Sequence, residues 1–274
     1  MSVSPGRSAG GTAVADRSPS PEAVPSLTIT GLRKSFPGRT VLAGLDLQIP
    51  ASGLVVLLGA NGSGKSTALR CVVGLEQPDG GSIRLHGEEI VGLSGRELAR
   101  RRSRAAMIFQ KIHLVQRRTV LDNVCAGALG RLPLRHSLVP ALFPRELREE
   151  AMECLHRVGL ADRAGDTVGR LSGGQQQRVA IARALCQRAD VVLADEPVAA
   201  LDPAAATQVL ELLSDLARGQ GLAVAAVLHQ PELARRYADR VVGLARGRLA
   251  FDTAPAHLSD RDLDDLYAAG EGAS

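Results

Sequence analysis

The 274-residue chain is poor in aromatic side chains, at 2%, and has no Trp. That leaves no interleaved aromatics on which nucleic-acid bases could stack, so a single-strand binding surface is disfavoured. Lysine is almost as scarce. Lys34, Lys65 and Lys111 are the only ones among 33 basic residues, and since most positions that could use arginine have it, these three are worth inspecting. Long apolar runs are also missing. Stretches such as Leu54–Leu58 fall far short of the roughly 20 residues needed to span a bilayer. The first 25 residues are rich in Ser, Pro, Gly and Ala and hold no continuous apolar stretch of the secretory kind. They have too little apolar surface to offset the entropy of ordering, and a disordered tail is expected there. The four cysteines, Cys71, Cys125, Cys154 and Cys186, lack the paired spacing of a zinc or redox site. Buried free thiols in a reducing compartment are expected instead.

Net charge is +4, and part of the excess lies in Arg96, Arg100, Arg101, Arg102 and Arg104. One reading of this cluster is a site for an anionic partner such as nucleic acid or lipid headgroups; the favoured one is a solvated helix with cations at its C-terminal end, just before an apolar segment. Leu27–Thr30 alternates and stops at Gly31, the pattern of an edge strand. Leu54–Leu58, Val191–Ala194 and Ala223–Leu228 are continuous apolar runs, as in strands buried on both faces. Helical spacing follows from Lys65, from Gln176 and from Pro203, the last with Asp202 as N-cap. Strands alternating with helices indicate an α/β fold with a parallel sheet. The strand-free stretch from Thr119 to about Arg188 is read as an inserted helical subdomain. Val241–Ala245 and Arg248–Phe251 are expected to close as a hairpin around Arg246–Gly247.

Gly59-Ala60-Asn61-Gly62-Ser63-Gly64-Lys65-Ser66-Thr67 fits G-x-x-x-x-G-K-[ST], with a buried strand before it and a helix after it. Glycines let successive N–H groups turn inward on phosphate oxygens, and the following helix adds its positive end. Lys65 suits the β- and γ-phosphates, and the Ser66 hydroxyl suits Mg²⁺. This motif implies a nucleoside triphosphatase without saying which. Asp195 ends an apolar strand, where a carboxylate is costly unless a cation faces it, and is the expected Mg²⁺-side acid. Glu196 is expected to project on the opposite side, towards an attacking water. Leu171-Ser172-Gly173-Gly174-Gln175 opens a further helix: Ser172 can cap it, and the two glycines expose its N–H groups as a second anion site. Two anion sites in one chain require two nucleotides, or one nucleotide shared between two chains.

In order along the chain, the phosphate loop, Gln110, Leu171–Gln175, Asp195–Glu196 and His229 resemble an ATP-binding-cassette subunit over residues 26–252. The resemblance implies a P-loop (RecA-like) core with a parallel sheet, an antiparallel β subdomain, and a helical signature subdomain inserted at about 111–187. Residues 253–274 would form a C-terminal helix and tail. In the family, two cassettes sandwich two ATP molecules head to tail, the signature of one facing the γ-phosphate held by the other. The resemblance further implies that Phe36 stacks on adenine and that Gln110 contacts Mg²⁺ and the attacking water. It assigns Glu196 as general base, His229 as the γ-phosphate switch and Asp202 to the loop crossing the dimer interface. Many cassettes have Ser at the position of Ala199; the missing hydroxyl puts one cross-dimer hydrogen bond of the family in question, not the hydrolysis.

Phe109–Val115, Arg118–Val124, Gly127–Arg131, Asp195–Pro203 and Leu228–Gln230 are most similar to the ATP-binding subunits of phosphonate importers, where Ala is usual at Ala199. Ala200 departs, since Ser is common there. The implied assembly is a homodimer of cassettes on two membrane permease subunits, served by an extracytoplasmic solute-binding protein, peripheral on the cytoplasmic face of the inner membrane. The implied ligands are ATP and Mg²⁺, and no nucleic-acid partner is expected. A cassette of another importer, a lipoprotein or lipid-type exporter, and a soluble cassette ATPase acting on ribosomes or DNA are the alternatives.

Overall fold

A computed structural model describes residues 24–133 and 142–271 of the chain. The expected tail lies outside these residues except for Val24 and Pro25. Two sheets form the core. In the first, β1 (Leu27–Phe36), β2 (Arg39–Ile49), β4 (Gly80–Leu85) and β5 (Glu88–Glu89) run antiparallel in the order β2-β1-β4-β5. The edge-strand expectation for β1 is therefore wrong, because β1 is paired on both sides. The glycine read as its end is a bulge: Gly31 takes φ 56°, its N–H donates to the Asp46 carboxylate at 2.8 Å, and pairing resumes at Leu32. A bulge inserts a residue without ending a strand, and glycine supports the local conformation.

The second sheet has the order β10-β9-β3-β8-β7-β6. Here β3 (Gly53–Leu58), β6 (Ala105–Ile108), β7 (Val191–Asp195), β8 (Ala223–Val227) and β9 (Arg240–Ala245) are parallel. The last strand, β10 (Arg248–Thr253), closes antiparallel on β9 around Arg246–Gly247, as expected. Every residue of β7 and β8 is buried. Alternate side chains enter opposite cores, as a period of two requires. Leu54, Val56 and Leu58 face one cluster, while Val55 and Leu57 face the other with the antiparallel sheet and helix α1 (Lys65–Val72).

Helix α2 (Gly95–Arg102) buries no residue. Its Arg101 pairs with Glu97 at 2.9 Å and with Glu88, and Arg104, just after the helix, pairs with Asp190 at 2.7 Å. Between β6 and β7 no strand occurs among the described residues. There α3 (Val120–Cys125), α4 (Arg145–Arg157) and α5 (Gly173–Cys186) pack on one another. Buried Asn123 pins the segment before α3. It accepts from the Val115 N–H at 2.8 Å and donates to the carbonyls of Val115 and Thr119.

Asp202 caps α6 (Pro203–Gly219) through the Ala205 N–H at 2.9 Å, as the sequence predicts. A short helix that the apolar pattern does not mark, α7 (Pro231–Tyr237), follows β8; its local signals are proline at the first position, Glu232 in the first turn and Arg235 and Arg236 in the last. The C-terminal helix α8 (Asp260–Glu271) packs on β9 through Leu263 and Leu266. Among the described residues no helix is long and apolar enough to cross a membrane.

All four cysteines are free and buried. Burial pushes the thiols of Cys71 and Cys125 up to about 11. At neutral pH both stay protonated, and the thiol form is a poor nucleophile. The native protein is expected to leave Cys71 and Cys125 unlabelled by a maleimide at pH 7 and to label fully once unfolded. Mass spectrometry of the labelled peptides measures this, and rapid labelling of the folded chain contradicts the burial.

Candidate nucleotide site

The phosphate loop leaves β3 at the carboxyl edge of the parallel sheet, where open α/β sheets place ligands. Gly59 takes φ 149°, and a Cβ there would lie 2.3 Å from the Leu244 carbonyl oxygen, so the turn requires glycine. Lys65 is 5% exposed, and its ammonium donates to the carbonyls of Gly59 at 2.7 Å and Ala60 at 2.9 Å and to Ser63 Oγ at 3.2 Å. Desolvation by burial lowers its pKa, and the carboxylates of Glu196 and Asp195 oppose that shift. The loop thus holds a partly desolvated cation on its own carbonyls. Phosphate oxygens are stronger acceptors for that cation.

Ser66 Oγ donates to Asp195 Oδ1 at 2.6 Å, and Asp195 is 4% exposed, with Arg70 4.0 Å away. This hydroxyl–carboxylate pair joins α1 to the end of β7. Two hard oxygens at one point, one of them on a residue that lines the phosphate-loop cavity, fit Mg²⁺, which takes few protein ligands.

Glu196 does not simply continue the strand alternation onto the far side. It takes φ 51°, a left-handed conformation uncommon for non-glycine residues. The turn brings its carboxylate to the wall of the cavity lined by the loop residues, Arg39 and Val41. Gln110 Nε2 donates to its Oε2 at 2.7 Å, and His229 Nε2 lies 2.7 Å from its Oε1. Three residues that the sequence places far apart thus meet at one carboxylate.

Phe36 is 40% exposed at the β1–β2 turn. Lys34 lies over one face of its ring, 5.1 Å from the centroid, and is itself held by the Gln77 carbonyl and Asp79. The exposed ring area is available for stacking a base.

The signature is separate from this cavity. Ser172 and Gln175 form a reciprocal capping box on α5: Gln175 N–H donates to Ser172 Oγ at 3.3 Å, and Ser172 N–H donates to Gln175 Oε1 at 2.9 Å. Leu171 is buried. The glycines do more than expose N–H groups. A Cβ on Gly174 would meet that of Ala205 at 2.8 Å, and one on Gly173 would lie 3.3 Å from Leu201. The signature therefore packs on the Asp202 loop, and the predicted site residues fall into two clusters. Replacing Ser172 by Ala removes the cap and is expected to cost about 0.5–2 kcal/mol. The urea midpoint reads the loss, and an unchanged midpoint shows that the cap is dispensable.

Sequence reasoning missed three residues. Arg39 and Val41 line the cavity, and the Tyr267 hydroxyl lies 3.4 Å from the His229 carbonyl. The signal for Arg39 is its distance of one tight turn from Phe36, legible only once the hairpin register is known.

The sequence profile of the ABC transporter family matches residues 42–199. The phosphonates import ATP-binding protein PhnC 2 of Pseudomonas savastanoi is 48% identical to the chain over 91% of both proteins. The phosphite import ATP-binding protein PxtA of Stutzerimonas stutzeri is 46% identical over 88% of this chain and 87% of its own. The hypophosphite import ATP-binding protein HtxD of the same organism is 42% identical, over 90% and 72%. Among solved structures, a dimeric ATP-binding cassette in a post-hydrolysis state, bound to ADP and Pi, superposes with TM-score 0.71. It shares 31% identity over 84% of this chain and 98% of its own. A phosphate loop on the edge of a parallel sheet admits many triphosphatases, but one whose profile and relatives run through the signature and the strand beyond it admits one: the chain belongs to the ABC transporter family.

Proposed function

We propose that this chain is the ATP-hydrolysing subunit of an importer for phosphonate or a related phosphorus oxyanion. The observation that carries the hydrolytic part is the Glu196 carboxylate, held between Gln110 and His229 on the wall of the phosphate-loop cavity. The relatives' printed substrates support the oxyanion part.

In this reading residues 26–252 are the nucleotide-binding domain, about 111–187 its helical subdomain, 1–25 a tail, and 253–274 a C-terminal helix and tail. Phe36 stacks on adenine. The N–H groups of residues 59–67 and the Lys65 ammonium hold the β- and γ-phosphates. Ser66, Asp195 and Gln110 hold Mg²⁺, which neutralises phosphate charge when bound. Glu196 takes the proton of the attacking water, and His229 orients the carboxylate and the γ-phosphate. Residues 171–175 and Asp202 complete the nucleotide site of a second copy, so closure needs two chains. ATP bound across both copies favours the closed dimer over the open one. Loss of the γ-phosphate removes the cross-chain contacts and reopens it.

The homodimer docks on two permease subunits at the cytoplasmic face of the inner membrane, and a solute-binding protein delivers the cargo. The docking surface is a groove of about 620 Å³ between the parallel sheet and the helical segment. Phe109 and His113 form one wall, and Leu75 and Leu129, 58% and 40% exposed, offer apolar contacts. The segment Lys111–Val124 gives this surface its specificity.

The test is the ATPase rate of the reconstituted complex with phosphonate, phosphite or phosphate supplied through the binding protein. Stimulation by phosphonate or phosphite supports the reading. Stimulation by none of the three assigns the cassette to another cargo.

A further inference from the structure

Two cations, Lys65 and Arg39, and one carboxylate, Glu196, line the cavity; next to it Asp195 accepts from Ser66 and lies 4.0 Å from Arg70. A triphosphate brings several negative charges into this space, and the end of a helix offers only about half an elementary charge against them. Neither lining cation forms an ion pair with a carboxylate among the described residues, but Lys65 is buried and held by three acceptors, whereas Arg39 is exposed and barely held. Its single hydrogen bond runs from Nη2 to the Gly62 carbonyl at 3.2 Å, so most of its donors are unused. The neighbouring Arg246 is not equivalent, because its Nε donates to the Ala269 carbonyl at 2.8 Å.

The backbone places Arg39 between the two ends of a nucleotide. Phe36 and Arg39 are direct cross-strand partners across the Pro37–Gly38 turn. The Arg39 guanidinium also touches the phosphate loop at Gly62, at a position where even a Cβ would lie 2.6 Å from Nη2. A base on Phe36 and terminal phosphates over Lys65 set the intervening phosphate beside this side chain. We infer that Arg39 is a nucleotide-binding residue, whose guanidinium leaves the Gly62 carbonyl to hold a phosphate of the bound nucleotide. This rests on the reading of the loop as an ATP site. A planar guanidinium exchanging one long bond to a neutral carbonyl for a paired contact to phosphate gains both charge and geometry.

The test is displacement of a fluorescent ATP analogue by ATP and by ADP, at low and at high salt, on the full chain and on R39Q and K65A. R39Q is expected to weaken ATP about tenfold at low salt, the size of one charge-assisted contact. The gap should shrink at high salt, because the lost term is electrostatic and partly exposed. An unchanged ATP affinity in R39Q, alongside a weakened K65A, overturns the assignment of Arg39. A deficit of equal size at both salts also overturns it, since that marks loss of a brace on the loop. Unchanged affinity in K65A overturns the ATP-site reading itself and this inference with it.

Discussion

Glu196→Gln is expected to lower steady-state ATP turnover by about 10²–10⁴-fold, the span of general-base effects, while ATP still binds. The amide keeps the shape of the carboxylate but cannot accept a proton at neutral pH. It also disturbs both neighbours. Gln110 donates to one carboxylate oxygen and His229 approaches the other, so an amide presents an oxygen to one and an NH₂ to the other. The variant should therefore accumulate in the ATP-bound state and run as a dimer on size exclusion with ATP, but as a monomer without it. Both readouts matter. A variant that turns over ATP at the parent rate removes Glu196 as the base. One that neither turns over nor dimerises has lost the cavity wall, since the left-handed backbone at this residue depends on its contacts.

Lys65→Ala is expected to remove most ATP binding, with a rise in Kd of about 10²-fold or more, because the ammonium makes charge-assisted bonds to more than one phosphate. The nucleotide-free fold should suffer far less. A buried ammonium is desolvated at a cost that its bonds to the Gly59 and Ala60 carbonyls only offset, so its removal takes away both terms. The expected signature is a melting temperature close to the parent's without ATP, and no upward shift when ATP is added. A large drop in the melting temperature without nucleotide would instead make Lys65 a structural clasp of the loop.

Much of the site is legible along the chain because its parts are short and contiguous. Residues 59–67 carry their own turn chemistry, Ser172 and Gln175 stand at capping-box spacing, and Asp202-Pro203 announces α6. Each is decided by backbone conformations and hydrogen bonds within a few residues. The continuous apolar runs that became β3, β7 and β8 are likewise legible, since a strand covered on both faces has no polar side to show. Gly31 misled for the same local reason: a glycine that ends a strand and one that bulges it have the same sequence.

Pairing across long separations is not local, and there the tertiary structure decided. Gln110 and Glu196 lie 86 residues apart, and their hydrogen bond follows from the pairing of β6 with β7. Likewise, β8 beside β7 delivers His229, and the turn at Glu196 rotates the carboxylate to meet it. Arg39 gained a site only when the β1–β2 register set it opposite Phe36, and Gly174 gained a packing role only when α5 met α6. The sequence by itself determined the main buried strands, the phosphate loop and the capped helices, and which residues carry charge. The order of strands in the sheet determined which charges share a cavity, because a hydrogen bond requires two groups within a few ångströms and only long-range pairing brings them there.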